Sequence, residues 1–317
     1  MKNDSMEEVS VIIPTYNRID SLRRTFSYLE KSKLKPLEVL IIDQSNADFS
    51  KLIQTLCGEE DELNVVYIHL EKPSSTAARN VGIKMSKGDV LVFMDDDVDV
   101  DAETLSNVVN LFKDERLVMA GGLDKKDVYH NSKKGNSKMG YLFGKSKFSK
   151  RDVGHVASGV YGRFPQVCGE ATPTEWVMGF FFAVKRDFIM EHDCRFDENL
   201  QYYAYAEDLD FSYGVCLYAE KCEKRCIFST RLIVNHNVST EYRTPTRKAT
   251  FMNYLHRYYI CRKYNLSEFK FWWSNFGDLL FRLLKKESLL DYFNAMSFLI
   301  VNRNNIRSGN FMYKKFM

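Results

Sequence analysis

The sequence lacks an apolar run long enough to cross a membrane. The longest candidate, residues 289–301, is interrupted by Asp291 and Asn294, whereas a spanning helix needs about 20 consecutive apolar residues. We therefore expect no transmembrane helix.

Proline and glycine are also scarce, with six and 16 copies among 317 residues. This scarcity excludes collagen-like and low-complexity chains, and no linker or internal repeat is visible. Hydrophobic residues make up 45% and aromatic residues 14% of the chain, which excludes a disordered protein. The length favours one or two globular domains.

The seven cysteines include no Cys-x-x-Cys pair, and their number is odd. The N-terminus, MKNDSMEEVS, lacks the features of a secretory signal. Both observations predict reduced thiols and a cytoplasmic protein. Cys216, Cys222 and Cys226 lie close enough in sequence for a zinc site, but buried thiols are the simpler interpretation.

The net charge of +3 is small and gives no indication of a nucleic-acid partner. It conceals an asymmetry, because residues 242–317 carry 14 Lys or Arg and four Asp or Glu, a net charge of +10. The first 241 residues therefore carry −7. We expect the acidic part to hold a cation and the basic part to face an anionic partner.

Apolar runs alternate with helical patterns through the first 120 residues. The runs predict strands at 9–13, 39–42, 65–70, 90–94 and 117–120. The helical patterns lie between them, at 22–29, 52–56, 77–85 and 105–112. This alternation predicts an α/β fold with right-handed βαβ units around a mostly parallel central sheet.

The second half of the sequence is less regular. Residues 124–150 are rich in Lys, Ser, Asn and Gly and predict a mobile loop. Strands are expected at 156–167, 176–184 and 226–234, and a helix at 207–220. From residue 247 onward the sequence is helical and aromatic, with helices expected at 269–285 and 289–301.

Polar residues follow four of the predicted parallel strands, where ligands bind in open sheets. These residues are Pro14 to Arg18, Asp43 to Ser45, the segment 74–80 with Arg79, and Asp95 to Asp97. Three consecutive carboxylates raise one another's pKa unless a cation is present. Carboxylates suit Mg²⁺ or Mn²⁺, although a solvated acidic turn is the alternative.

Five sequence blocks together resemble the family 2 glycosyltransferases of GT-A fold. They are residues 9–18 (VSVIIPTYNR), 40–45 (LIIDQS), 78–82 (ARNVG), 88–98 (GDVLVFMDDDV) and 206–210 (AEDLD). The resemblance implies a GT-A catalytic domain at 1–241, with a nucleotide-binding half at about 1–122 and an acceptor-binding half at about 151–241. Residues 242–317 would form a helical extension. Through this extension the chain resembles bacterial family members that build surface polysaccharides, including rhamnosyltransferase-like ones.

The resemblance also implies roles for individual residues in binding a nucleotide-sugar donor. Those that would line the nucleotide-sugar pocket are Pro14, Thr15, Tyr16, Arg18, Asp43, Arg79, Asp95 and Asp96. Asp43 would accept a hydrogen bond from the base, with Arg79 alongside it. Asp97 would ligate Mn²⁺ or Mg²⁺, and His236 would be a second metal ligand or a diphosphate contact. Without the resemblance, Asp43 could be a turn cap, Arg79 a surface charge and His236 a packed histidine.

For the reaction itself, the resemblance implies a single inverting displacement with Asp208 as general base. Glu207 would orient Asp208 or the acceptor, and Trp176 would contact the acceptor. One alternative is that both acids only begin a helix, where carboxylates interact favourably with the positive end of the helix dipole. The other is that the aromatic run that begins with Trp176 belongs to the core.

The expected function is transfer of one sugar from a nucleotide-diphosphate sugar to a hydroxyl of a growing surface glycan, which could be lipid-linked. Residues 266–317 mix aromatic and cationic side chains, which suits an anionic membrane surface; packing on the catalytic domain or in a homodimer is the alternative. The protein would then lie in the cytoplasm or on the inner face of the membrane. Rival functions are a non-catalytic glycan-binding or scaffold member and a sugar-phosphate nucleotidyltransferase.

Overall fold

The computed structural model describes residues 7–46, 49–50, 53, 63–126, 138–157, 159–201, 206–237, 246–286 and 289–316. Its strands are β1 (Val9–Thr15), β2 (Glu38–Asp43), β3 (Val65–His69), β4 (Val90–Met94), β5 (Val98–Asp99), β6 (Leu117–Asp124), β7 (His155–Ala157), β8 (Tyr161–Arg163), β9 (Thr172–Pro173), β10 (Phe181–Lys185) and β11 (Arg225–His236). Its α-helices are α1 (Ile19–Leu29), α2 (Ser75–Met85), α3 (Thr104–Phe112), α4 (Lys138–Leu142), α5 (Arg186–Glu191), α6 (Glu207–Lys221), α7 (Thr246–Lys263), α8 (Glu268–Lys285) and α9 (Leu290–Arg307).

The main sheet has the strand order β3-β2-β1-β4-β10-β6-β11-β5. β1 pairs in parallel with β2 and β4, and β2 pairs in parallel with β3. These strands are the predicted apolar runs, and the helices between them confirm the predicted βαβ pattern wherever the chain is described. The predicted helix at 52–56 lies outside the described residues except for Ile53.

The second half departs from the prediction in its strands. β10 begins at Phe181 and lies antiparallel between β4 and β6, so the expected strand at 176–184 is too long. The backbone N–H groups of Val177 and Gly179 donate to the Ser212 hydroxyl and the Asp208 carboxylate instead of a neighbouring strand. The expected strand at 156–167 is the short hairpin β7–β8.

The segment 124–150 also differs from the expected loop. β6 continues to Asp124 and α4 occupies Lys138–Leu142, so the prediction is wrong for those residues, and residues 127–137 lie outside the described residues. The described cysteines are free thiols. Among the described residues, no group of metal ligands includes Cys216, Cys222 or Cys226, and buried Cys216 donates to the Thr174 carbonyl.

Side chains of the sheet alternate between two apolar layers. Val11 and Ile13 belong to one cluster, and Ile12 belongs to the other. A third cluster joins helices α7, α8 and α9 to Val160, Leu200 and Leu209. Of the helices described, none has both the length and the apolar character needed to cross a bilayer.

Candidate active site

Residues at the carboxyl ends of β1 and β4 meet at one edge of the sheet. The Thr15 hydroxyl donates to Asp96 Oδ2 at 2.7 Å, and Arg18 Nη1 donates to Asp96 Oδ1 at 3.2 Å. Asp96 is buried, and this burial raises its pKa to about 7 although Arg18 and Thr15 oppose the shift. Asp96 therefore holds Thr15 and Arg18 in place at this edge of the sheet.

Asp95, Asp97 and His236 form a separate group whose ligand atoms all lie within 4.8 Å of one another. His236 ends β11, which pairs with β5 directly after the three aspartates. Its Nε2 lies 3.3 Å from Asp97 Oδ1, and its ring stacks on Phe180 at 4.9 Å between centroids. Two carboxylates and one imidazole in this arrangement suit a divalent cation.

The electrostatics of this group favour a bound cation. Burial raises the pKa of Asp95, and the neighbouring Asp97 raises it further, whereas Arg79 opposes the shift. Burial alone would lower the pKa of His236, but its contact with Asp97 and the charge of Asp95 outweigh burial and raise it. Burial is the largest cause for Asp95, whereas the raised pKa of His236 comes from the carboxylates beside it. A cation would balance the negative charge of those carboxylates.

Arg79 connects the aspartate run to the predicted catalytic acids. Its guanidinium is buried, with Nη2 3.1 Å from Asp95 Oδ1 and Nη1 2.9 Å from Glu207 Oε1. It also lies over the Phe196 ring at 5.4 Å. The sequence-based expectation placed Arg79 beside Asp43 at the base, whereas the structure places it between Asp95 and Glu207.

Asp43 ends β2 and is buried. Its Oδ1 accepts bonds from the Ser45 backbone and hydroxyl at 2.9 and 2.5 Å, and its Oδ2 accepts from the Tyr67 hydroxyl at 2.7 Å. Asp43, Thr15 and Arg18 line one small pocket. Asp43 therefore caps the turn that follows β2, as the alternative interpretation expected. Its hydrogen bond to a nucleotide base stays a prediction.

The two remaining predicted donor-site residues lie at the end of β1. Pro14 is opposite Ile42 in the β1–β2 register. Tyr16 follows the strand and is half-buried. Both therefore lie next to Thr15 at the same edge of the sheet.

Glu207 and Asp208 begin α6, after Ala206 in the left-handed conformation (φ 68°). Asp208 Oδ2 accepts from the Gly179 backbone at 2.9 Å, and Oδ1 accepts from the Leu209 backbone at 2.8 Å. Burial raises the pKa of Asp208 although these bonds oppose it. Burial also raises the pKa of Glu207 to about 7, with Asp208 adding to the shift and Arg79 opposing it.

Trp176 is buried, contrary to the expectation that it contacts an acceptor. It is 6% exposed, its indole Nε1 donates to the Arg163 carbonyl at 3.1 Å, and it packs edge-on against Phe164 and Phe228. Its N–H is bonded and its ring faces are covered, so the structure supports the alternative that this run is core.

Sequence reasoning missed three residues that hold the site together. Gly179 donates to Asp208, and Phe180 supports His236. Asn237 donates to the Asp97 carbonyl through its backbone at 3.0 Å and its side chain at 3.1 Å. The only signal for Asn237 was its position next to His236; the other two were hidden inside an apolar run.

Residues 10–166 match the family described as Glycosyl transferase family 2. A Campylobacter jejuni GalNAc(5)-diNAcBac-PP-undecaprenol beta-1,3-glucosyltransferase is 24% identical over 198 residues, 61% of this chain and 56% of that protein. The Staphylococcus aureus poly(ribitol-phosphate) beta-N-acetylglucosaminyltransferase TarP is 27% identical over 150 residues, 47% of this chain and 44% of that protein. The chain thus matches about half the length of these relatives.

The fold is similar to that of a mannosyltransferase from Pyrobaculum calidifontis, PcManGT, solved with GDP-Man and Mn²⁺. The TM-score is 0.58 at 15% identity, over 98% of this chain and 84% of that one. This similarity concerns the fold, a central sheet flanked by helices, and agrees with the GT-A expectation. On the family match and the named relatives, residues 10–166 of the chain belong to glycosyl transferase family 2.

Proposed function

We propose that this chain is a metal-dependent inverting glycosyltransferase that transfers one sugar from a nucleotide-diphosphate sugar to a hydroxyl of a surface glycan. The observation that carries the proposal is the convergence of Asp95, Asp97 and His236 within 4.8 Å at the carboxyl edge of the sheet. Arg79 connects this group to Glu207, the first of the two acids that begin α6. Family membership and relatives named as glycosyltransferases support the same class of reaction.

The donor diphosphate would lie against Asp95, Asp97 and His236. A divalent cation bound there would neutralise the charge that develops on the departing diphosphate. A structure of PcManGT contains Mn²⁺ with GDP-Man, which supports Mn²⁺ or Mg²⁺ here. Arg18 supplies a further positive charge at 3.9 Å from Asp97 Oδ2.

Asp208 would act as the general base. Both of its oxygens accept one backbone hydrogen bond each, which fixes the carboxylate and leaves a lone pair on each oxygen for a proton. The acceptor oxygen would attack the anomeric carbon while its proton passes to Asp208 and the sugar–phosphate bond breaks. Glu207 is bonded to Arg79 at 2.9 Å, and Arg79 also bonds Asp95. Glu207 would therefore keep the general base, Asp208, close to the residues that bind the donor.

The acceptor is proposed to be lipid-linked, and the C-terminal helices are proposed to attach the protein to an anionic membrane surface. One relative is named for an undecaprenol-linked acceptor. α8 and α9 expose large apolar side chains, among them Phe269, Leu284, Leu290 and Val301. Such faces beside lysines suit the interface of a bilayer. Attachment to the inner face of the membrane then follows, and a homodimer is the alternative use of these helices.

The experiment that tests the proposal is a thermal-shift series with UDP, GDP and dTDP, each with Mn²⁺, with Mg²⁺ and with EDTA. The expected result is stabilisation by one nucleotide only when metal is present, by RT ln(1 + [L]/Kd). Asp97→Asn should abolish the stabilisation that nucleotide and metal produce together. Asp101 is an exposed carboxyl nearby, and Asp101→Asn should retain that stabilisation. Metal-independent binding would contradict the metal dependence. No binding by folded protein would favour the non-catalytic glycan-binding or scaffold member.

A further inference from the structure

The two-residue strand β5 follows the three aspartates directly and pairs with the end of β11. In this register Val98 lies opposite His236, and Asp99 lies opposite Asn235. Asp97 precedes β5 and His236 ends β11, so the distance between these two candidate metal ligands depends on this pairing. A pairing of two residues contains few backbone hydrogen bonds, so neighbouring side chains have to contribute to its position.

The carboxylate of Asp99 is buried and accepts hydrogen bonds from two other elements. Arg24 on α1 donates through Nε to Oδ1 at 3.0 Å and through Nη2 to Oδ2 at 2.5 Å. Asn235 Nδ2 donates to Oδ2 at 3.0 Å. Because a bidentate arginine contact fixes the plane of a carboxylate as well as its position, Asp99 joins α1 to β11 in one defined orientation.

Two asparagines on either side of His236 continue these hydrogen bonds to Asp97. Asn235 Nδ2 donates to Asn237 Oδ1 at 2.9 Å as well as to Asp99. Asn237 donates to the Asp97 carbonyl through its Nδ2 at 3.1 Å and through its backbone at 3.0 Å. Turning either amide over would place donor against donor or acceptor against acceptor. The Asp99 carboxylate therefore determines the orientation of both amides.

Helix α1 also bonds the backbone of the same short segment. The buried hydroxyl of Thr25 donates to the Asp96 carbonyl at 2.8 Å and to the Val98 carbonyl at 3.1 Å. The residue before Thr25 is the arginine that binds Asp99. One turn of α1 therefore contacts the chain on both sides of Asp97, while β11 contacts it from the other direction.

The ring of His236 has a separate support. It stacks on Phe180 at 4.9 Å between centroids, and the Phe180 carbonyl accepts from the Asp95 backbone at 2.9 Å. This stack orients the plane of the imidazole. The bonds through Asn235 and Asn237 instead fix the backbone on either side of His236, and so the distance of β11 from the aspartates.

We propose that Asp99, held by Arg24, is a positioning residue that keeps His236 beside Asp97 for binding of a divalent cation. The proposal rests on the proposed metal-dependent function. Asp99 lies outside the Asp95–Asp97–His236 group, so it would act through these ligands. Substituting residues that support metal ligands through hydrogen bonds typically weakens metal binding by about 10–100-fold.

Amide hydrogen exchange of the full chain in EDTA tests the position of β11 without metal. Asp99→Asn keeps the shape of the side chain, but its NH₂ group faces Arg24, which only donates, in either orientation. We expect amides 235–237 to exchange at least about tenfold faster because the end of β11 opens locally. Residues 226–228, which pair with β6, should exchange as before. Asp101→Asn removes the same charge from an exposed position and should leave the exchange unaltered.

Titration with Mn²⁺ alone, followed by the electron paramagnetic resonance signal of the free ion, measures the consequence for the metal site. Asp99→Asn should bind Mn²⁺ at least about tenfold more weakly. Asn235→Ala removes the amide between Asp99 and Asn237 and should have a similar effect. Asn235 is only half-buried, so this variant keeps the test decisive if Asp99→Asn fails to fold. The double variant should bind about as weakly as either single one, because both interrupt the same set of bonds.

Tyr313→Phe controls for a loss of stability alone. The Tyr313 hydroxyl bonds Asn199 and Gln201, so this variant should unfold more easily yet bind Mn²⁺ as the unaltered chain does. Unchanged Mn²⁺ affinity in the folded variants of Asp99 and Asn235 would overturn the proposal, even if exchange became faster. An equal loss of affinity in Tyr313→Phe would overturn it as well. An unaltered chain that binds no Mn²⁺ would contradict the proposed function, whereas the exchange in EDTA decides separately whether Asp99 positions β11.

Discussion

At the scale of the residue, the base assignment depends on Asp208. Substituting Asp208→Asn removes the proton acceptor but keeps a side chain of the same shape. We expect turnover of donor and acceptor to fall by at least about 10²-fold, the lower end of general-base contributions. Donor affinity should change little because Asp208 lies outside the Asp95–Asp97–His236 group. Single-turnover kinetics and nucleotide titration would measure the two effects separately.

The matched control for that variant is Asp210→Asn, because Asp210 lies on the same helix but bonds Lys263 at 2.8 Å. It should lower stability with little direct effect on chemistry. If Asp208→Asn weakened donor binding as strongly as turnover, the assignment of Asp208 as a base would be wrong.

The buried carboxyl of Glu207 should make stability fall as pH rises. Its ordinary pKa is 4.5, and in the folded protein burial raises the pKa to about 7. Its contribution to the free energy of unfolding is therefore fully present below about pH 4.5 and is lost as pH rises through about 7. Glu207→Gln imitates the neutral acid, so it should flatten the decline in melting temperature measured from pH 5 to pH 8.

Some decline should persist in Glu207→Gln, because burial also raises the pKa of Asp96 to about 7. The matched control is Glu220→Gln, an exposed carboxyl near the other end of α6, which should leave the pH dependence unaltered. A Glu207→Gln profile that runs parallel to that of the unaltered chain would contradict the raised pKa.

At the scale of the element, the outer faces of α8 and α9 carry the proposed membrane contact. Phe269 is 77% exposed and Leu284 is 69% exposed, so replacing both with serine removes little packing within the fold. Each would contribute roughly 1–2 kcal/mol if inserted into a bilayer. The double variant should therefore bind anionic vesicles at least about tenfold more weakly in a co-sedimentation assay.

The control for the vesicle assay replaces two exposed apolar residues elsewhere, Val167 and Met190, with serine. This double variant should sediment with vesicles as the unaltered chain does. Unchanged binding after loss of Phe269 and Leu284 would contradict the membrane role. A shift from dimer to monomer in the same variant would support the homodimer alternative.

The elements that sequence predicted well are those buried by parallel pairing. β1, β2 and β4 are continuous apolar runs because both faces of the sheet are covered. The run at 176–184 looks the same in sequence, yet only its second half forms β10. The difference depends on Asp208 and Ser212, distant residues that bond Gly179 and Val177. No local pattern contains that information.

The candidate site shows the same contrast. The polar residues after β1 and β4 were predictable because parallel strands bring their carboxyl ends to one edge. The bridge from Asp95 through Arg79 to Glu207 was not, since it joins residues up to 128 positions apart. Arg79 resembles a surface charge in sequence, whereas in the structure it is buried against Asp95, Glu207 and the Phe196 ring.

At the scale of the whole molecule, the C-terminal helices are joined to the catalytic part by polar bonds as well as by the third apolar cluster. Tyr259 and Lys263 on α7 both bond Asp197, at 2.5 and 2.9 Å. Val160, Leu200 and Leu209 share their cluster with α7, α8 and α9. The division of the chain after residue 241 stays a prediction, and these contacts indicate that the two parts unfold together.

Tyr313, near the end of the chain, offers the sharpest test of that coupling. Its hydroxyl donates to the Asn199 carbonyl at 2.8 Å, accepts from the Gln201 backbone at 3.1 Å and lies 2.8 Å from His256 Nε2. Tyr313→Phe leaves these groups without the hydroxyl, which should lower the free energy of unfolding by about 1–3 kcal/mol. Tyr218→Phe removes an exposed hydroxyl and should change it by less than about 0.5 kcal/mol. In urea, Tyr313→Phe should shift one cooperative transition; a second transition confined to the helices would show that residues 242–317 unfold independently of the sheet.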